Sequence, residues 1–364
     1  PLIMHHGWAV GVIIPARDEA KHIASLIMQI PQWVDAIICV DDESTDNTRE
    51  VAMKAAASKR DGGWDGLFHC INNSSLEGAK GNKMRTGVGA SIDNGQQKLL
   101  ELAEGNKWTD GPWLTVIMDG DGQMNPLDLP GLVAPIIRNE AEMAKGNRKA
   151  GPQGFGKMPL RRRMGTVFLK HLTNLASGRK LEDPQCGYVA LSHAAIKEWD
   201  FNKEWDGYGY PNHRILMSSD KLWRIAEIPV SSIYEGQKSG IKIWRFLPKV
   251  ACLLWSGLMK RGSQWYIWQP LQKLTQRSKE GEGQLETKKP YYPIQGIKAI
   301  ILSTAFFAGW ISLGVGGVFF CRGDSENLLL FPILSIMAFW FARLADKIFI
   351  EQKLLQRHIE RNDK

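Results

Sequence analysis

The apolar positions in the first half of the chain fall in short unbroken runs, separated by segments of helical period. Ala9–Ile14 is one run, ended by Pro15. Apolar residues then recur at helical spacing from Glu19 to Ile30. Ala36–Val40 is a second run, stopped by Asp41-Asp42-Glu43-Ser44. Ser44 or Thr45 can cap the next helix, which passes through the alanine-rich 51–57. Leu114–Met118 is a third run, ended by Asp119-Gly120-Asp121-Gly122. Short continuous apolar strands between helices predict βαβ units and a mostly parallel sheet, covered on both faces. Ligands of such sheets sit beyond the carboxyl ends of the strands, and both acidic clusters fall there. Residues 58–75 and 93–112 are polar, glycine-rich and aperiodic, and read as surface insertions.

The C-terminal third follows another pattern. Ala299–Cys321 is 23 residues without a charge. At about 1.5 Å per residue a helix of that length spans a hydrocarbon core of about 30 Å. Leu328–Ala342 is a second uncharged run, so the two predict a transmembrane hairpin linked through 322–327. That run can extend through Arg343, Asp346 and Lys347 if those residues pair at helical spacing or lie near headgroups. Lys288, Lys289 and Lys298 precede the hairpin, and Lys347, Lys353, Arg357 and Arg361 follow it. By the positive-inside rule both ends, and the N-terminal domain, lie in the cytoplasm. An integral membrane protein is therefore expected, of a plasma membrane or the cytosolic face of an internal one. Pro1–Val10 has no basic flank and no cleavage signal, so no signal peptide is expected.

Charge sharpens this picture. The 364 residues carry a formal net charge of +8, which fits an anionic partner. The charge is not spread evenly. Residues 143–181 hold ten Lys or Arg and no acid, the mark of an anion site. Residues 241–277 hold seven more and no acid, interleaved with Trp244, Trp255, Trp265 and Trp268. Tryptophan and cations on apolar helices suit a membrane interface. The interleaved tryptophans and the hairpin explain the charge better than nucleic acid does, so no nucleic-acid partner is expected. The five cysteines form no C-x-x-C pair, which points away from zinc and from a disulfide framework. Nothing in the pattern fixes an oligomeric state; a homo-oligomer is compatible with it.

The chemistry concentrates at strand ends. Asp119 and Asp121, one glycine apart, can converge on one hard cation, and Gly120 lets a diphosphate approach. Mg²⁺ or Mn²⁺ there would neutralise a departing nucleoside diphosphate. Gly78–Gly87 looks like a phosphate loop but lacks the P-loop spacing, and no G-x-G-x-x-G follows the first strand.

In order, VIIPARDEAKHI, VDDESTDNT, GAKGNKMRTG and VIMDGDGQMNP resemble the successive motifs of the inverting family 2 glycosyltransferases. GNR (146–148), PLRRRMGTVFLKHLTNLASG, EDPQCGYVALS, WDGYGYPNH and IPVSSIYEGQKSGIK continue the match. With the hairpin, that later set is similar to the polyprenyl-phosphate glycosyltransferases, such as the dolichyl-phosphate mannose synthases. The resemblance implies an α/β GT-A fold, Rossmann-like and mostly parallel, over 1–238. Interfacial helices and a linker (239–293), two transmembrane helices (294–350) and a cytoplasmic tail (351–364) would follow.

It also implies roles. Pro15, Arg17 and Glu19 would contact the nucleotide, Asp41 and Asp42 the base or ribose, and Lys80 and Arg85 would support it. Asp119, Asp121 and Gln123 would hold the metal. Arg148, Arg162 or Arg163, and Lys238 match basic positions that grip the diphosphate and the acceptor phosphate. Asp183 occupies the position where many relatives hold a catalytic base. The implied reaction transfers a hexose from a UDP- or GDP-sugar to dolichyl or undecaprenyl phosphate with inversion. That acceptor is already anionic, so it needs cations rather than a strong base. Alternatives are a hydroxyl acceptor on a glycolipid or polysaccharide, for which Asp183 must work as a base, or an inactive membrane-bound relative. Pro211 and His213 depart from the family, which usually has acids there, and Arg17 replaces an aromatic or small residue.

Overall fold

β1 (Ala9–Ala16) is buried along its whole length, and its alternate residues feed two cores. Val10, Val12, Ile14 and Ala16 face one side of the sheet, and Ala9 and Ile13 the other. The computed structural model of the chain describes residues 5–73, 86–105, 110–155, 160–201, 205–233, 243–263, 297–322, 330–344 and 346. These divide into two compact units, Pro1–Thr173 with Leu181–Cys252, and Asn174–Lys180 with Leu253–Lys364.

The first unit is built on one seven-stranded sheet of order β3-β2-β1-β4-β6-β5-β7. Besides β1 its strands are β2 (Ala36–Asp41), β3 (Leu67–Asn72), β4 (Trp113–Ile117), β5 (Met143–Asn147), β6 (Val189–Ser192) and β7 (Ile225–Pro229). β1 pairs in parallel with both β2 and β4, and β5 with β7. β6 runs antiparallel to its neighbours β4 and β5, so the sheet is mixed. β2 and β3 follow on one side of β1 and β4 lies on its other side, so the strand order reverses between β1 and β4 and opens a crevice at their carboxyl ends.

Helices cover both faces. α1 (Ile23–Gln29), α2 (Thr48–Asp61) and α4 (Leu129–Ile137) pack on the core of Val12, Ile37 and Val116. α3 (Val88–Glu104), α6 (His193–Lys197) and α7 (Tyr210–Asp220) pack on the core of Ile13, Ile38 and Ile117. α5 (Leu160–Ser177) carries the basic run that precedes β6.

Three expectations are corrected. Residues 58–75 are no insertion: they end α2 and form the edge strand β3. β3 is only half-buried, so His69 and Asn72 interrupt its apolar pattern. Most of 93–112 belongs to α3, whose buried face carries Ser91, Asp93 and Gln96 among Ile92, Leu99 and Leu102. Arg214 of α7 supplies the partners, reaching Asp93 Oδ1 at 3.3 Å and Gln96 Oε1 at 3.0 Å. A helix whose buried face is partly polar shows no apolar stripe. Finally, α1 starts at Ile23 rather than near Glu19, and Asn47 precedes α2 without a side-chain cap. The residues expected to cap α2 bond the first loop instead. Ser44 Oγ accepts from the Asp18 amide at 3.0 Å, and Thr45 Oγ1 donates to Asp18 Oδ1 at 3.0 Å.

The second unit contains α9 (Ile297–Arg322) and α10 (Leu330–Leu344), with the end of α8 (Ile243–Ser263). Phe319 stacks on Phe331 and Phe306 meets Phe339, so α9 and α10 lie antiparallel. Ser335 Oγ donates to the Gly309 carbonyl at 2.9 Å. Thr304–Arg322 is long and apolar enough to cross a membrane; α10 is shorter. Ile311, Val318 and Phe320 on α9, and Ile336, Met337 and Trp340 on α10, are exposed. Arg343 and Asp346 pair with each other, as their spacing anticipated.

Candidate active site

The carboxyl ends of β1, β2 and β4 bring three sequence motifs together. β4 keeps following β1 past its last ladder residue: the Met118 amide donates to the Ile13 carbonyl at 3.0 Å, and Gly120 to Pro15 at 3.1 Å. This places Asp119 and Asp121 beside the loop of Arg17 and Glu19. Asp18 sits at φ 56° and holds that loop to the next one, accepting from Thr45 N at 2.7 Å and Thr45 Oγ1 at 3.0 Å.

Asp119, Asp121 and Glu19 form an acidic cluster. Burial, and then the Asp121 and Glu19 charges, push Asp119 up to about 8, while Arg148 pulls it down. Burial, and then Asp121, Asp46 and Asp18, push Glu19 up to about 7. Asp121 Oδ1 accepts from the Gln123 amide at 2.9 Å in a tight turn. Gln123 enters through its backbone, and its carbonyl accepts from Ile233 N at 3.1 Å. That contact fixes the start of the segment leading toward Lys238. Asp119 Oδ1 is buried and has no hydrogen-bond partner among the described residues. A buried, unpaired oxygen beside two more carboxylates fits a divalent cation. Among the described residues, no three or more His, Cys, Asp or Glu side chains converge on one metal position. A cation here would therefore complete its shell with phosphate oxygens and water.

Asp41 and Asp42 are both buried, and the structure gives them turn-holding bonds. Asp41 Oδ1 accepts from Ser44 N at 3.1 Å. Asp42 Oδ1 accepts from Asn73 Nδ2 at 2.6 Å and from Gly87 N at 2.9 Å, with Arg17 3.8 Å from its other oxygen. Gly87 in turn shapes the start of α3, at φ 109° and ψ 165°, a region open to glycine alone.

Arg148 follows β5, and Asp183 lies in the loop before β6. They form a two-pronged pair, Nε to Oδ2 at 2.7 Å and Nη2 to Oδ1 at 2.9 Å. Burial raises the Asp183 carboxyl, but the bonds and charge of Arg148 outweigh it and hold it below its ordinary range. Two further residues brace this loop. The fully buried Lys145 donates to the Asp183 and Cys186 carbonyls, each at 2.9 Å, and Glu227 accepts from the Glu182 and Asp183 amides at 2.7 and 2.9 Å.

Arg163 is exposed on α5. The Arg162 side chain, and Lys80, Arg85 and Lys238, lie outside the described residues. Pro211 is buried and His213 half-buried, in the first turn of α7.

The residues that sequence reading did not single out are Tyr208 and Tyr210. Burial, and then Asp119, raise the Tyr208 phenol, with Arg17 opposing, so this half-exposed residue feels the acidic cluster. Their only sequence signal is membership of WDGYGYPNH, a motif with no charged pair to draw attention to the aromatics.

The model of glycosyl transferase family 2 matches residues 11–90 and 94–199, more than half of the chain. The chain belongs to glycosyl transferase family 2. Among relatives of this family 2 enzyme is the UDP-N-acetylglucosamine–dolichyl-phosphate N-acetylglucosaminyltransferase of Methanococcus voltae, 29% identical over 61% of this chain and 85% of that protein. An uncharacterized protein of Methanocaldococcus jannaschii is 28% identical over 61% of this chain and 81% of its own length. Glucosyl-3-phosphoglycerate synthase from Mycobacterium tuberculosis, solved in complex with uridine-diphosphate, aligns with a TM-score of 0.50. It is 19% identical over 70% of this chain and 80% of that one, a likeness of fold. The mixed seven-stranded unit is thus a GT-A-type fold, and the protein is a glycosyltransferase resembling the polyprenyl-phosphate group.

Proposed function

We propose that this enzyme transfers a hexose-type sugar from a UDP- or GDP-sugar to a polyprenyl phosphate, with inversion at the anomeric carbon. The observation that carries the acceptor is the state of Asp183. A hydroxyl acceptor needs a free base. Both oxygens of Asp183 accept from Arg148, and the acid is held in its weakly basic form. A phosphate acceptor is ionised already, and it needs cations to bring it to a diphosphate. Arg148, and the basic residues of α5, are suited to that work. The named activity of the Methanococcus relative and the apolar helix α9 agree with a lipid acceptor and a membrane-bound enzyme.

In this reading the loop of Pro15, Arg17 and Glu19 and the buried Asp41 and Asp42 shape the nucleotide pocket, with Lys80 and Arg85 supporting it. Asp119 and Asp121, with Gln123 beside them, would hold a Mg²⁺ or Mn²⁺ ion, whose chemistry there is to neutralise charge on the departing diphosphate. Arg148, oriented by Asp183, faces the same leaving group from the other side. Arg162, Arg163 and Lys238 grip the acceptor phosphate. The α9–α10 hairpin would span the bilayer with the catalytic unit in the cytoplasm, so the lipid head reaches the site.

The test uses the full chain, purified in detergent, with Mg²⁺ or Mn²⁺. A panel of UDP- and GDP-sugars is offered with undecaprenyl or dolichyl phosphate, and nucleoside diphosphate release is followed. Release that needs both the metal and the lipid phosphate is expected. Release only with a hydroxyl-bearing lipid would overturn the phosphate acceptor, and nucleotide-sugar binding without any release would point to an inactive relative.

A further inference from the structure

Tyr210 opens α7, and its ring is packed into the core under the sheet. The residue is 3% exposed, yet its hydroxyl has no hydrogen-bond partner among the described residues. Buried hydroxyls almost always find one, and an unpartnered one calls for a reason. The reason lies at Gly187, where the chain enters β6. A Cβ there would stand 2.2 Å from Tyr210 Oη and 3.4 Å from Asp119 Oδ2. The tyrosine hydroxyl and the Asp119 carboxylate therefore border the same small gap, kept open by the missing side chain of Gly187. Asp119 is the other buried group there with an unpartnered oxygen, Oδ1. A phenol keeps its proton at neutral pH, and toward an anion it can only donate.

We propose that Tyr210 is a positioning residue for the acidic cluster, its hydroxyl donating to Asp119 across the Gly187 gap when that carboxylate serves a divalent cation. This rests on the metal reading given above. A neutral donor suits the place. It steadies a buried carboxylate and leaves the total charge of the cluster for the cation. It also fixes the rotation of the carboxylate, so that its free edge faces the nucleotide.

The test compares parent, Tyr210→Phe and Asp121→Asn as full-length protein in detergent. Mn²⁺ binding in the presence of UDP is read from the loss of the free-ion paramagnetic resonance signal, and melting is followed with and without the ion. Removing a hydroxyl that bonds to nothing in the protein costs no hydrogen bond, so without metal Y210F is expected to melt at or above the parent. Its Mn²⁺ affinity should fall about tenfold, the scale of one hydrogen bond to a charged group, and its Mn²⁺-induced rise in melting temperature should shrink. Equal Mn²⁺ affinity in parent and Y210F would overturn the inference alone. So would a Y210F that melts well below the parent without metal, because that marks a packing role. A parent that binds no Mn²⁺, or binds it as well after Asp121→Asn, would overturn the metal reading and this inference together. Gly187→Ala is the independent arm: it closes the gap from the other side and should weaken Mn²⁺ binding as Y210F does.

Discussion

Asp183 and Arg148 are joined by two parallel side-chain hydrogen bonds, at 2.7 and 2.9 Å, and the Arg148 amide adds a third to Oδ2 at 3.1 Å. The carboxylate is fully buried and the guanidinium nearly so. The pair fastens the loop before β6 to the end of β5, and the Arg148 charge is felt at Asp119, whose carboxyl it pulls down. An acid so engaged orients its partner and is poorly placed to take a proton.

Asp183→Ala is therefore expected to destabilise the protein strongly. Removing one partner of a buried ion pair leaves the other uncompensated, at a cost of about 3–5 kcal/mol. Chemical denaturation of the catalytic unit within the full chain measures it. Asp183→Asn keeps the shape and some bonding, so it should retain more transfer activity than Asp121→Asn. The reverse ranking would favour a hydroxyl acceptor.

Asp121→Asn should abolish transfer while the protein stays folded and membrane-bound. Asp121 makes a turn bond to the Gln123 amide that an asparagine oxygen can also accept, so the change acts on charge more than on structure. Sugar transfer with lipid phosphate, next to a melting curve, separates the two effects. Turnover near the parent rate would sink the metal assignment.

The acidic cluster also makes stability depend on pH. Asp119 and Glu19 are pushed up to about 8 and about 7, above their values in an unfolded chain. The folded state thus binds protons more tightly, and that contribution is full below about pH 4 and is lost progressively as pH rises to about 8. Without divalent cations the melting temperature should fall between about pH 4 and about pH 8 and level off above that. Excess Mg²⁺ should reduce the fall, since it replaces the protons. A flat profile without metal would show that the cluster is less crowded than it looks.

Gly87→Ala should damage the nucleotide pocket from a distance. Gly87 lies at φ 109°, donates to Asp42 and meets the loop before α7, where an added Cβ would stand 2.5 Å from the Asp206 carbonyl oxygen. A non-glycine residue in that region costs about 1–3 kcal/mol. UDP or GDP affinity, measured by calorimetry, is expected to fall together with the melting temperature. Unchanged nucleotide affinity would remove Asp42 and its turn from the pocket.

The strands of the sheet centre and the two acidic motifs were legible in the chain itself. β1, β2 and β4 are buried on both faces, so each reads as a continuous apolar run, and the acids that follow are local to it. The apolar helices of the second unit were legible for the same reason, since a span of one composition needs no partner to be recognised. α3 was hidden because two residues of its buried face, Asp93 and Gln96, are polar and are bonded by Arg214, 121 positions away from Asp93. β3 was hidden because an edge strand keeps polar residues. Ser44 and Thr45, expected to cap α2, were misread because their hydroxyls serve a loop 26 or more positions earlier. The site divides along the same line. Residue types and strand ends come from local sequence. The lock of Asp183 on Arg148, and the shared gap of Tyr210 and Asp119, come from tertiary packing, because whether a buried polar group is free or engaged depends on what distant chain is laid against it.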